Sequence, residues 1–228
     1  MPATGPLLNR YLFSGTSVDS GSLGVHGAIM HQFNDAGDYV GKVSRGRAEV
    51  GHFFLRVSAD CAARQTNIDL ANLCDCMKDV CAGKDATCYA IQPAGYGVFH
   101  VSQGRGGFVV SITKARDTTA IFKSSELKAG DIFAVTLMRA GTYSVTNAAT
   151  RTKAELVVKY PVRTKERRDA PPVVNVQVTA NAIDPAKIQV ASAQSHAYLI
   201  KDKARIQIEL VKADDGPDGS NRRHVVRF

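Results

Sequence analysis

Short runs of β-branched and aromatic residues recur along this chain, most of them alternating apolar and polar positions. Ile132 to Met138 (IFAVTLM) lies between Ala-Gly-Asp and Arg-Ala-Gly. Thr142 to Thr146 alternates around Tyr143 and Val145, and Ala154 to Tyr160, Val173 to Val178, Ile188 to Val190, Ala197 to Ile200 and Ile206 to Leu210 follow. Gly, Pro, Asn and Asp separate them. Alternation over four to eight residues between turn formers predicts half-buried strands, and many such strands predict an all-β sandwich or barrel. Helix is a minor expectation, confined to Asp69 to Cys81.

The pattern repeats. Ala36-Gly37-Asp38-Tyr39 aligns with Ala140-Gly141-Thr142-Tyr143; upstream, Leu23 falls on Leu127, Ile29 on Phe133 and Phe33 on Leu137. Downstream, Arg45 to Val50 meets Arg151 to Leu156, Asn67-Ile68-Asp69-Leu70 resembles Asn175-Val176-Gln177-Val178, and Val109 to Ala115 resembles Gln207 to Ala213. The matches keep their order, as an internal duplication requires.

Asp184-Pro185-Ala186-Lys187-Ile188-Gln189-Val190, with Gln194 after it, is similar to an early segment of the cupredoxin family. Gly130-Asp131-Ile132-Phe133 and Gly141-Thr142-Tyr143-Ser144-Val145 resemble the family's late segment. The resemblance implies two related Greek-key β-sandwich lobes, with a short helix in a Cys-rich insert. Two divisions fit it. In one, residues 65–160 form a complete lobe, while 10–58 and 173–213 combine into a second, discontinuous lobe. In the other, 10–105 and 106–213 are consecutive lobes. The charged, Pro-rich stretch 161–172 reads as a linker and 214–228 as a flexible tail.

Blue-copper members of that family place a Cys and a His just after the Gly-x-Tyr strand. Here the loops read Thr146-Asn147-Ala148-Ala149-Thr150 and Lys42-Val43-Ser44-Arg45, without Cys, His or Met. Copper redox chemistry needs soft thiolate and imidazole donors, so no blue-copper site is expected there.

All five cysteines lie between Cys61 and Cys88, and the second copy has none. Cys74, Cys76, Cys81 and Cys88 supply four thiolates, enough for a tetrahedral zinc shell, but the spacing is not that of paired C-x2-C knuckles. Cys81 and Cys88 are the disulfide candidates. On a helix, Cys74 and Cys81 would stand ~10 Å apart and could not bond each other. A third reading makes Cys74 and Cys81 part of an apolar stripe with Leu73, Met77 and Val80.

Composition narrows the function classes without selecting one. With 44% hydrophobic residues the chain can form a core. A formal net charge of +8 favours acidic partners, nucleic acid among them, although the groove-reading helix or exposed aromatics that such binding uses are not evident. No apolar run approaches the roughly 20 residues of a spanning helix. The start of the chain lacks a signal-peptide pattern, so a cytoplasmic location is expected. Neither a nucleophile elbow nor a phosphate loop is present. Gly104-Arg105-Gly106-Gly107 reads as a hairpin turn, and His26, His31, His52, His100 and His196 as structural strand residues. In the tail, Arg222, Arg223, Val225, Val226 and Phe228 are suited to docking on a partner. The expectation is a non-catalytic structural or protein-binding β-sandwich, self-assembling or partner-binding, with no cofactor and no assigned small molecule. A metal or redox role for the Cys61–Cys88 insert, with zinc, is the alternative; basic nucleic-acid binding is the second.

Overall fold

The computed structural model describes residues 11–73, 88–161 and 171–214. A four-residue helix, α1 (Tyr11–Ser14), precedes the strands and is the only helix among the described residues. The strands are β1 (Ser17–Asp19), β2 (Gly27–Phe33), β3 (Gly37–Arg45), β4 (Ala48–Val57), β5 (Gln65–Asp69), β6 (Cys88–Ile91), β7 (Gly95–His100), β8 (Phe108–Lys114) and β9 (Ala120–Lys123). Then come β10 (Ile132–Thr136), β11 (Gly141–Asn147), β12 (Thr152–Lys159), β13 (Val174–Val178), β14 (Ile183–Asp184), β15 (Lys187–Ala191), β16 (Ser195–Ile200) and β17 (Ile206–Ala213). Each run that alternates in the later half of the sequence is a strand.

The strands form three sheets. A central seven-stranded sheet has the order β14-β13-β16-β10-β2-β7-β5. An early sheet, β6-β4-β3-β8-β9, draws all its strands from residues 37–123, which also give β5 and β7 to the central sheet. A late sheet, β1-β17-β11-β12-β15, takes its strands from residues 141–213 and adds β1.

The two five-stranded sheets share one internal order: β3 matches β11, β4 matches β12, β6 matches β15, β8 matches β17 and β9 matches β1. The central sheet extends the match outward from the antiparallel β2·β10 pair, β7 answering β16 and β5 answering β13. The parallel pairs agree as well, β4·β6 with β12·β15 and β5·β7 with β13·β16. Small details repeat with them. Tyr39 donates its hydroxyl to the Asp35 carbonyl at 2.7 Å, and Tyr143 donates to the Arg139 carbonyl at 2.8 Å. The leading strands are exchanged, each closing the other set's sheet. Val18 of β1 faces Ile208, and Phe122 of β9 faces Ile112. Beside them the buried Ser20 and Ser124 hydroxyls accept the Ile206 and Val110 N–H groups at 3.0 and 2.9 Å.

The register corrects the sequence alignment in two places. Leu55 stands opposite Tyr39 and Leu156 opposite Tyr143, so Leu156 answers Leu55 rather than Val50. A bulge after Val43 and a turn through Gly46 (φ 61°) lengthen the early hairpin. Val110 and Ile206 also correspond, two residues away from the alignment; a shift of two leaves every side chain on its face, so alternation could not reveal it. Asn67 to Leu70 and Asn175 to Val178 do correspond as aligned, because Ile68 faces Phe99 where Val176 faces Tyr198.

Two local expectations are corrected. Asp69, at the start of the expected helix, ends β5. Its carboxylate accepts the Ala71 and Ser102 N–H groups, each at 3.1 Å, and turns the chain instead. The rest of that expectation, residues 74–81, lies outside the described residues. Gly104 to Gly107 is not a hairpin: it carries the chain from β7 in the central sheet to β8 in the early sheet, with Gly104, Gly106 and Gly107 all at positive φ.

Both five-stranded sheets cover the same face of the central sheet. Ile29 and Phe133 face each other directly, hence point to one side, and both are fully buried. Phe99 stacks on Phe122 at 5.4 Å and meets Phe53 at 5.8 Å, tying the central sheet to the early one. Core volume is exchanged between matched sites. Phe33 fills the space beside Gly97, where an added Cβ would meet its ring at 3.0 Å. Their counterparts are the smaller Leu137 and the larger His196.

Candidate functional site

Side chains alternate across a strand, so the far face of the central sheet is readable from its burial pattern. On β2 that face carries Ala28, Met30 and Gln32; on β10, Ile132, Ala134 and Thr136. Met30 stands opposite Ile132 and Ala28 opposite Ala134. Val98 lies beside Met30, Leu199 beside Ile132 and Ala197 beside Ala134. The result is an apolar patch four strands wide. Around it stand Gln65, Asn67, Tyr96, His100, Asn175, Gln177 and Ser195, with Asp69 and Asp184 at the two rims. Its strands β2, β5, β7, β10, β13 and β16 contribute no Lys, Arg or Glu to either face. Burial pushes the Asp69 carboxyl up, but hydrogen bonds from Ser102, Ala71 and Asn72 overcome it and hold the group below the usual carboxylate range.

The outer faces of the five-stranded sheets differ at matched positions. In the late sheet one row reads Glu209, Ser144, Glu155, Lys187, and the Lys187 ammonium lies 3.0 Å from the Glu155 carboxylate. That is an ordinary solvated face. The same row in the early sheet reads Thr113, Val40, Phe54, then the backbone of Cys88 at the sheet edge. Phe54 is 37% exposed and Val50, on the same strand face, 42%. A groove of about 440 Å³ opens here, lined by Val40, Phe54, Ala90, Ala115 and the Asp38–Arg56 pair among others. Arg56 Nε donates to Asp38 at 2.8 Å, which lowers the Asp38 pKa.

Most of the sequence-predicted site residues lie outside the described residues. Cys74, Cys76 and Cys81 lie outside the described residues; Cys88 begins β6, and Cys61 is a free, half-buried thiol. Arg222, Arg223, Val225, Val226 and Phe228 also lie outside them. Among the described residues no three His, Cys, Asp or Glu side chains group as metal ligands, and no helix is long and apolar enough to cross a membrane. The histidines have separate roles. His26 lies between the Thr136 and Tyr11 carbonyls at 3.1 Å each, His31 contacts Asp131 at 2.6 Å, and His52 contacts Glu49. His196 is fully buried, and neither ring nitrogen meets hydrogen-bond geometry. Burial pulls its pKa down to about 4, which the Gln194 backbone offsets only in part.

The patch residues were missed, although a signal was present. Ile132 to Val135 is continuously apolar, as is Phe53 to Leu55, and such runs leave no polar face for solvent. In the matched segment Ala154-Glu155-Leu156 a charge stands in the middle.

No protein-family model matches the chain, and no curated protein or solved structure matches it significantly.

Proposed function

We propose that this is a non-catalytic structural β-sandwich protein that self-assembles through the far face of its central sheet. The reading includes two related, cupredoxin-like Greek-key lobes from an internal duplication, and the matched strand orders support it. Sheet membership favours consecutive lobes with exchanged leading strands. The carrying observation is the charge-free apolar patch around Met30 and Ile132. A chain of net charge +8 that keeps one broad face clear of cations has a surface on which two copies can meet without repulsion. The patch centres on the β2·β10 pair, and two copies can set this same patch face to face about a two-fold axis. At ~4.8 Å between strands and ~3.3 Å per residue, the whole far face of the central sheet, patch and polar surround together, offers roughly 600 Å² per partner. Two copies would bury about 1,200 Å² together, within the range of stable interfaces.

Light scattering of the full chain and of Met30→Lys/Ile132→Lys tests this. The wild type is expected at dimer mass or above, and the variant, with unchanged circular dichroism, at monomer mass. A wild type that stays monomeric at all attainable concentrations would overturn the proposal.

A further inference from the structure

We infer that the groove on the early sheet is a second docking site, for an apolar side chain of a partner polypeptide flanked by carboxylates. The molecule supplies its own control. Val40 and Phe54 occupy the places that Ser144 and Glu155 hold in the late sheet, with the same pairing and the same neighbours in the strand order. The fold therefore does not require apolar residues there. Burying a Phe side chain is favourable in proportion to the apolar area covered, and Phe54 is left 37% exposed, so part of that stabilisation is withheld until something covers it. Pockets of this kind hold the buried anchors of protein interfaces.

Charge selects the occupant. On the groove's face the acids are engaged: Asp38 with Arg56 and Glu49 with His52. Lys42, next outward-facing residue after Val40, has no carboxylate partner among the described residues, nor does Arg47 at the hairpin end, whereas Arg45 is engaged over the Phe108 ring at 5.6 Å. A second copy docking through this same face would set those cations against themselves. The chain's own tail would add Arg222, Arg223 and Arg227. An acidic segment meets the opposite condition: its carboxylates reach the unpaired cations while its apolar side chain enters the groove. The self-assembly patch is on another sheet, so both surfaces can act at once.

The test uses fluorescein-labelled hexapeptides with Leu, Phe or Met at the centre, flanked by Glu, Ser or Lys, titrated against the full chain by fluorescence anisotropy. Glu-flanked peptides are expected to bind at least tenfold tighter than Ser-flanked ones, with the gap closing in high salt. Val40→Ser/Phe54→Glu, which copies the late sheet, should abolish binding without changing circular dichroism or assembly mass. Lys42→Glu should remove the preference for Glu while retaining the Ser-flanked peptides. Equal binding of Glu- and Lys-flanked peptides, or no binding of any, would overturn the inference. So would a loss of self-assembly in Val40→Ser/Phe54→Glu, which would make the occupant a second copy. The peptide-binding results leave the Met30 and Ile132 test untouched; only a loss of self-assembly in Val40→Ser/Phe54→Glu would bear on both.

Discussion

Ile29 and Phe133 stand directly opposite each other in the middle of the central sheet, and each is the other's counterpart in the matched strand sets. The pairs on either side, Ala28 with Ala134 and Met30 with Ile132, are counterparts of each other: Ala28 matches Ile132 and Met30 matches Ala134. An antiparallel pair has local two-fold symmetry, so one pairing of like with like relates everything outward from it. From this contact come the two matched five-stranded sheets on one face of the central sheet and the patch on the other.

Because the halves correspond, each supplies substitutions for its counterpart. Tyr198 is fully buried with no hydrogen-bond partner for its hydroxyl, and Phe99 occupies the matched place. An orphaned buried hydroxyl costs about 1–3 kcal/mol. Tyr198→Phe is therefore expected to stabilise the protein by about 1 kcal/mol, measured as a higher urea midpoint at unchanged slope. A destabilised variant would show that the hydroxyl has a partner.

His196 makes stability depend on pH. Its pKa falls from 6.5 to about 4 in the folded chain because burial penalises the imidazolium. Between those values the unfolded chain holds the proton and the folded chain does not, so stability decreases as pH drops through that window. The full loss is roughly 3 kcal/mol by pH 4. His196→Leu is expected to flatten the stability profile between these pH values in urea titrations; an equally steep profile would assign the dependence elsewhere.

The hydroxyls of Tyr39 and Tyr143 each secure the chain entering their strand. Tyr39→Phe and Tyr143→Phe should each cost about 1 kcal/mol. The sites lie in different sheets and share no partner, so the double variant should show the sum. A clear departure from additivity would mean that the two sheets communicate through the core.

The Asp19–Arg205 pair fastens β1 to β17 through two contacts, Nε to Oδ1 at 3.1 Å and Nη2 to Oδ2 at 2.7 Å. Burial raises the Asp19 pKa, but hydrogen bonds from Arg205, Gln207 and Gly21 more than reverse that, leaving it lowered. A lowered carboxylate stabilises the fold above its unfolded value and ceases to do so as pH falls through the folded one. Asp19→Asn is expected to cost about 1 kcal/mol at neutral pH, since the pair is partly exposed. The difference from wild type should vanish in strong acid. A difference that persists there would implicate side-chain shape rather than charge.

Local chemistry was legible wherever a residue's environment follows from its neighbours in sequence. Period-two alternation and turn residues placed the strands from Ile132 to Leu210, and Ala-Gly-x-Tyr marked the repeat. The docking surfaces were not legible, because a continuous apolar run such as Ile132 to Val135 looks the same whether its second face is covered or open. Likewise the Gly104 to Gly107 stretch has the composition of a hairpin turn, and only the sheet membership of β7 and β8 shows that it crosses between layers.

By itself the sequence determined that the chain is all-β and where most of its strands run, because both depend on the pleat and on backbone preferences acting over a few residues. Which strands pair was decided by tertiary structure alone. The exchange of β1 and β9, the meeting of Ile29 with Phe133, and the different fates of Phe54 and Glu155 all rest on contacts between residues far apart in the chain. Hydrogen bonds across a sheet carry no sequence label, so partner and register are settled only when whole sheets bury their apolar faces together.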